Sequence, residues 1–223
     1  MMKNYFFLFG LCFSSLLMGQ EASSPSYKED QLYVDINFIL QTNGVRSFQE
    51  NGFSRSLHLG VIKDMPLSNK GTTAIGLGLG YGYMLMTNNV KVSNQSGSYV
   101  YSIPTLDKSS LRNKFSFHQL QIPLELRWRT SSFSDYSFWR IYLGYRLSYQ
   151  FGASHNPFFG KQFALSKQVR PWQHGVSATI GYNTWNMRIS YDFFPVLKDT
   201  IRTTRNIYPR FNALQIGLIF YVL

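Results

Sequence analysis

From residue 32 to the last residue the chain repeats one pattern, in which apolar and polar side chains alternate, segment after segment. The clearest case is HQLQIPLELRWR, residues 118–129. Leu120, Ile122, Leu124, Leu126 and Trp128 fall on one side, and Gln119, Gln121, Glu125, Arg127 and Arg129 on the other. A period of two over this length is strand geometry. Seven further segments read the same way, near 32–40, 54–65, 72–86, 137–151, 172–182, 185–194 and 211–223. Most are long enough to cross a bilayer as tilted strands. No strand edge can stay open in hydrocarbon, so the expected fold is all-β, an eight-stranded antiparallel transmembrane barrel.

The faces can be assigned strand by strand. In the first, Leu32, Val34, Ile36, Phe38 and Leu40 point to lipid, while Tyr33, Asp35, Asn37 and Ile39 point inward. In the second, Leu57, Leu59 and Val61 oppose Ser56, His58 and Gly60. The third sets Ile75, Leu77, Leu79, Tyr81, Tyr83 and Leu85 against a file of glycines, Gly76, Gly78, Gly80 and Gly82. A phosphate-binding glycine loop breaks its strand and opens a helix. Here the alternation runs straight through, so the glycines read as a curved wall, or as room for long arginines from the opposite wall.

Loop lengths fit a barrel. The connections after the second, fourth and sixth strands are short, and those after the first, third, fifth and seventh are longer, the longest near 88–114 and 152–171. Short turns at one end and long loops at the other are the membrane-barrel habit. An even strand number then puts both termini on the periplasmic side and the long loops outside. The main rival is a soluble eight-stranded lipid carrier, which turns its apolar face inward. Charges on the faces opposite the unbroken apolar ones favour the membrane form.

Residues 1–20 read as a signal peptide, with Lys3 ahead of the apolar run YFFLFGLCFSSLLMG. A short polar lead, 21–27, precedes one barrel domain over 28–223. Cys12 lacks the small residue before it that a lipid anchor wants. It is the only cysteine, so a chain cut near Gly19 or Gln20 has no disulfide or thiolate site. The formal charge of +11 becomes +10 after that cut, since one lysine and no acid is removed. Basic residues dispersed through strands and loops do not form a nucleic-acid stripe. The expected partners are outer-membrane lipid and an acidic envelope protein or lipopolysaccharide headgroups, around a monomeric barrel. Fifteen Tyr, nineteen Phe and four Trp suit the aromatic belts of such a barrel.

The inward charges define one candidate site. Five arginines, Arg127, Arg129, Arg140, Arg146 and Arg188, face three acids, Asp35, Glu125 and Asp192. Buried charges must pair, so Glu125 is expected to compensate Arg127, Arg140 or Arg146. The loops define a second. Tyr99, Tyr101, Phe158, Phe159 and Trp172 lie near Lys161, Lys167 and Arg170, an aromatic and cationic set suited to an interface or a belt. Deleting 155–168 is expected to spare the barrel.

Little suggests catalysis. His58, His118, His155 and His174 show no metal-ligand spacing. Ser56 and His58 share a strand face, the spacing of a hydroxyl–imidazole pair, but that face is inward and no lipid substrate reaches it. No cofactor is expected. A non-enzymatic barrel with a structural, binding or envelope-accessory role is the leading reading. A narrow channel, a lipid hydrolase and a soluble carrier are the alternatives.

Three stretches, FHQLQIPLELRWR at 117–129, WRIYLGYRLSY at 139–149 and LQIGLIFYVL at 214–223, resemble the outer-membrane barrels of the Bacteroidetes grouped around the PorT family. QIPLEL, 121–126, is the most specific part. The resemblance implies the same barrel and location. Some members are associated with type IX secretion, so it also implies an accessory role in export. It supplies no catalytic residues.

Overall fold

The alternation closes on itself. A computed structural model describes residues 30–42, 48–50, 52–68, 70–95, 98–103, 112–130, 138–158, 160–198 and 211–222. The signal and polar lead read from residues 1–27 lie outside them. Eight long strands form the wall: β1 (Gln31–Thr42), β2 (Arg55–Pro66), β3 (Thr73–Asn88), β6 (Asn113–Arg129), β7 (Trp139–Asn156), β9 (Trp172–Tyr182), β10 (Trp185–Asp192) and β11 (Asn212–Val222). Three short strands stand in loops. β4 (Lys91–Gln95) pairs with β5 (Ser98–Ser102), and β8 (Phe163–Ala164) adds to the end of β7.

Every wall pairing is antiparallel. The order runs β6-β3-β2-β1-β11-β10-β9-β7, and β7 pairs back with β6 to leave no open edge. One bulge occurs where His118 and Gln119 of β6 meet Gly152 and Gln150 of β7. It inserts one residue, Phe151, and so moves the inward phase of β7 from even to odd positions, with Ala153 and His155 buried beyond it.

The faces fall as the alternation reads. Leu32, Ile36, Leu59, Leu79, Leu124, Leu143, Ile180 and Ile189 are exposed on the outer wall, and their neighbours in sequence are buried inside. The apolar side is therefore outside, which excludes the soluble-carrier arrangement. Two aromatic girdles bound the outer wall. Trp128, Trp139, Tyr182 and Trp185 stand at the short-turn end, and Tyr81, Tyr149, Phe151 and Trp172 toward the long-loop end. On β7 the girdles are Trp139 and Tyr149, and on β9 Tyr182 and Trp172, a rise of ten residues each. At ~3.3 Å per residue and ~45° tilt that is ~23 Å, close to the apolar height of an outer-membrane barrel.

The long-loop end differs from a set of free loops. Val90, Val92, Tyr101, Leu165, Val169, Val196 and Leu197 fold over the mouth. They pack on inward residues from the strand ends, Ile39, Met84, Met86, Phe115, Phe117, Ala153, Phe211 and Ala213, in one apolar cluster. Gln41 ties the strand ends beneath the cap to one another. Its Nε2 donates to Ser54 Oγ at 3.1 Å and to the Thr87 carbonyl at 3.2 Å, and Asn88 Nδ2 donates to its Oε1 at 2.8 Å.

Candidate functional site

The lumen is filled in layers. At the short-turn end lies a charged cluster built on Arg127 and Arg129, both fully buried. Their main partner is Asp64, an acid that the reading of charges left out. Arg127 Nη1 reaches Asp64 Oδ1 at 3.0 Å, and Arg129 Nη2 reaches Asp64 Oδ2 at 2.7 Å. Asp64 is legible after all, because Ser56, His58, Gly60, Ile62 and Asp64 are every second residue of β2. The lumen arginines therefore meet four acids, not three. Glu125 pairs with Arg127 at 3.1 Å and with Arg188 at 3.4 Å. Asp35 lies 3.9 Å from Arg188, and Ser177 accepts from Arg188 at 2.9 Å. The rings of Tyr142 and Tyr221 stand 4.9 and 5.5 Å from the Arg127 guanidinium carbon, as cation–π partners.

Two expected pairings of Glu125 do not form. Arg146 donates instead to Asp192, at 2.7 Å. Arg140 sits at the short-turn rim, donates to the Asn183 carbonyl and stacks 4.2 Å from the Phe138 ring. The glycine file does make room for an arginine, but from the adjacent strand. A Cβ at Gly76 would stand 2.6 Å from Arg127 Nε, and β6 is the neighbour of β3. Farther up the file, a Cβ at Gly80 would collide with the Tyr33 hydroxyl.

Next toward the long loops comes a layer of neutral groups around His58. Gln121 Nε2 donates to His58 Nδ1 at 2.7 Å, so the ring proton lies on Nε2, 2.9 Å from Gln215 Oε1. Ser56 Oγ also donates to Gln215 Oε1, at 2.8 Å, and stands 3.0 Å from His58 Nε2. Both contacts of Ser56 with this pair are thus used up, and His58 turns no lone pair toward it. His118 and His174 are on the outer wall, bonded to the hydroxyls of Tyr81, at 2.6 Å, and Tyr145. The four histidines do not converge.

The loop set is not brought together. Tyr101 is fully buried in the cap, where burial raises its hydroxyl pKa. Tyr99 stacks on Phe163 at 6.0 Å. Trp172 is an exposed wall residue, 4.9 Å from Tyr149. Phe158 is exposed, Lys161 and Lys167 are exposed, and Arg170 lies 5.2 Å from the Phe194 ring. Phe159 lies outside the described residues. A deletion of 155–168 would remove His155 and Leu165 from the cap, so it tests cap stability rather than loop contact.

His155 makes the cap sensitive to acid. It lies beyond Phe151, past the membrane-crossing part of β7, with Phe115 at 4.5 Å and Phe163 at 5.2 Å. Burial among these rings lowers its pKa from 6.5 to about 4. The unfolded imidazole takes a proton below pH 6.5 and the folded one only near 4. Stability is therefore intact above pH 6.5 and falls between 6.5 and 4, by about 3 kcal/mol in all. Burial raises the Glu50 carboxyl and acts in the opposite sense. His155→Phe should flatten the His155 part of a pH series of cap hydrogen exchange. An identical acid loss in that variant would exclude His155 as its cause.

A closed wall, apolar outside between two aromatic girdles and filled with paired charge inside, defines a transmembrane β-barrel. The chain belongs to the outer membrane protein beta-barrel domain family, which matches residues 18–201. It is accordingly an outer-membrane protein. No functionally curated protein matches it. Among solved structures it is similar to Ail, the attachment invasion locus protein of Yersinia pestis, determined in complex with the heparin analogue sucrose octasulfate. The identity is 11%, the TM-score 0.36, and the match covers 87% of this chain and 97% of that one.

Proposed function

We propose that this is a non-enzymatic binding barrel, whose long-loop end lies outside the cell and docks an anionic envelope component. Residues 1–20 are the export signal, and both termini are periplasmic. One observation carries the reading, the distribution of charge. The four connections at the long-loop end, 43–54, 89–112, 157–171 and 193–211, hold eleven Lys and Arg against Glu50, Asp107 and Asp199, a net +8 of the chain's +11. The three turns at the other end hold only Lys70 and Asp135, a net of zero. A surface of one sign steers and holds partners of the other.

The filled lumen favours binding over conduction. Among the described residues an apolar cap stands above the paired charge layer, which argues against an open polar path. The neutral hydrogen-bonding of Ser56 and His58 likewise argues against a hydrolase. The PorT-like resemblance would make the anionic partner part of an export apparatus, and co-purified secretion components would favour that version.

The test uses the full chain in phosphatidylcholine vesicles and purified lipopolysaccharide as the probe. Lys91→Glu, Arg112→Glu and Lys161→Glu change exposed positions only. The triple variant should bind at least tenfold more weakly, and native binding should weaken from low to high salt. Salt-independent binding that survives the triple variant would sink the proposal.

A further inference from the structure

We infer that the outer wall carries a specific site for one phosphate-bearing membrane lipid, its acyl chain in a broad groove centred on β7, β9 and β10 and its phosphate on a basic ledge at the long-loop rim. The groove has a volume of about 690 Å³ and reaches from Ile75 of β3 and Leu126 of β6 across Leu143, Ala178 and Ile189 to Leu214 of β11, with Tyr145 and Tyr191 toward the long loops. It lies between the two girdles, within hydrocarbon. Ala178 is the reason for the dent: it is the smallest outward residue of β9, between Val176 and Ile180, and it pairs with Leu143 and Ile189.

The groove does not end blindly. Tyr145, on its wall, bonds His174. His174 meets the Phe194 ring edge-on at 5.6 Å, and Arg170 stacks on the same ring at 5.2 Å. Arg170 belongs to a ledge in which two chain segments bond each other. Arg170 N donates to the Val196 carbonyl at 3.0 Å, and Lys198 N to the Gln168 carbonyl at 3.0 Å. Lys198 Nζ donates to the Lys167 carbonyl at 2.7 Å. Lys167, Arg170 and Lys198 thus stand together above the aromatic girdle. An apolar slot that leads through Tyr and His hydroxyl and imidazole groups to three cations matches a lipid end to end, with the tail low, glycerol or sugar oxygens at the girdle and phosphate at the top.

The site uses neither Lys91, Arg112 nor Lys161, so it can fail while loop-face docking stands, and the reverse. The test titrates the full folded chain in detergent micelles with dioleoyl phosphatidic acid, against dioleoylglycerol as the phosphate-free control, and reads lipid adducts by native mass spectrometry. The expected result is one retained phosphatidic acid. Arg170→Gln should weaken retention about fivefold. Ala178→Phe, which fills the groove from the lipid side, should do the same. Heat-shifted migration on a gel verifies that each variant is folded. Equal retention of dioleoylglycerol overturns the proposal. So does loss with only one of the two variants, because slot and ledge are then not one site. Displacement by equimolar inorganic phosphate would also overturn it, leaving a plain anion site. A glycolipid phosphate that outcompetes phosphatidic acid at this site in both variants' absence would identify the natural source and support the proposal.

Discussion

Replacing Asp64 with leucine should be the most damaging single change in the lumen. Asp64 holds Arg127 and Arg129 at once, through different oxygens, at 3.0 and 2.7 Å. All three side chains are fully buried from solvent, so water cannot take over. Removing one partner of a buried pair costs about 3–5 kcal/mol, because the other charge stays buried. Here two arginines lose a partner together. Arg127 keeps Glu125, and Arg129 keeps the Gly71 carbonyl at 2.7 Å, which limits the loss to that range. The readout is the denaturant midpoint of the reconstituted barrel, followed by its heat-shifted migration. The double variant Asp64→Leu with Arg129→Met should recover part of the loss, since it buries one charge fewer. A midpoint that does not move with Asp64→Leu would mean that the Asp64 side chain is not in the lumen.

Glu125→Leu should cost less, about 3 kcal/mol, at the low end of the same range. Arg127 would keep Asp64 and two tyrosine faces, and Arg188 would keep Ser177 and the more distant Asp35. The pattern of coupling is the sharper test. Glu125 touches Arg127 and Arg188 but not Arg146, which pairs with Asp192. Energies of residues in one network do not add, while those of separate pairs do. Glu125→Leu should therefore be non-additive with Arg127→Met and additive with Arg146→Met. The reverse pattern would place Glu125 in the Asp192 pair.

The barrel was readable because one physical rule governs every strand. A wall between lipid and a packed interior forces period two, and Leu, Ile and Trp against Gln, Glu and Arg made the phase plain in β6. The inner layers followed the same rule wherever the polar side was polar. Asp64 obeys the same rule, standing on the inward phase of β2 two steps beyond Gly60. The cap was harder to read. Met84, Met86, Phe115 and Phe117 are apolar residues on the inward phase of β3 and β6, which is a signal that the polar lumen ends there. Their partners Val92, Tyr101, Leu165 and Val196 come from loops, where no periodicity marks a buried residue. For the same reason Tyr101 looked like a contact residue and is a core one. The contacts of Arg170 and His174 with Phe194 join two separate parts of the sequence, and no local spacing carries them.

Surface labelling of engineered cysteines tests the orientation and the location together. Lys161→Cys stands at the long-loop end, Lys70→Cys in a short turn, and the sequence has no other cysteine beyond Cys12. A membrane-impermeant maleimide added to intact cells should label Cys at 161 and spare it at 70, with both labelled after the outer membrane is opened. Labelling at 70 but not at 161 in intact cells would contradict the account, as would recovery of the folded chain in the soluble periplasm.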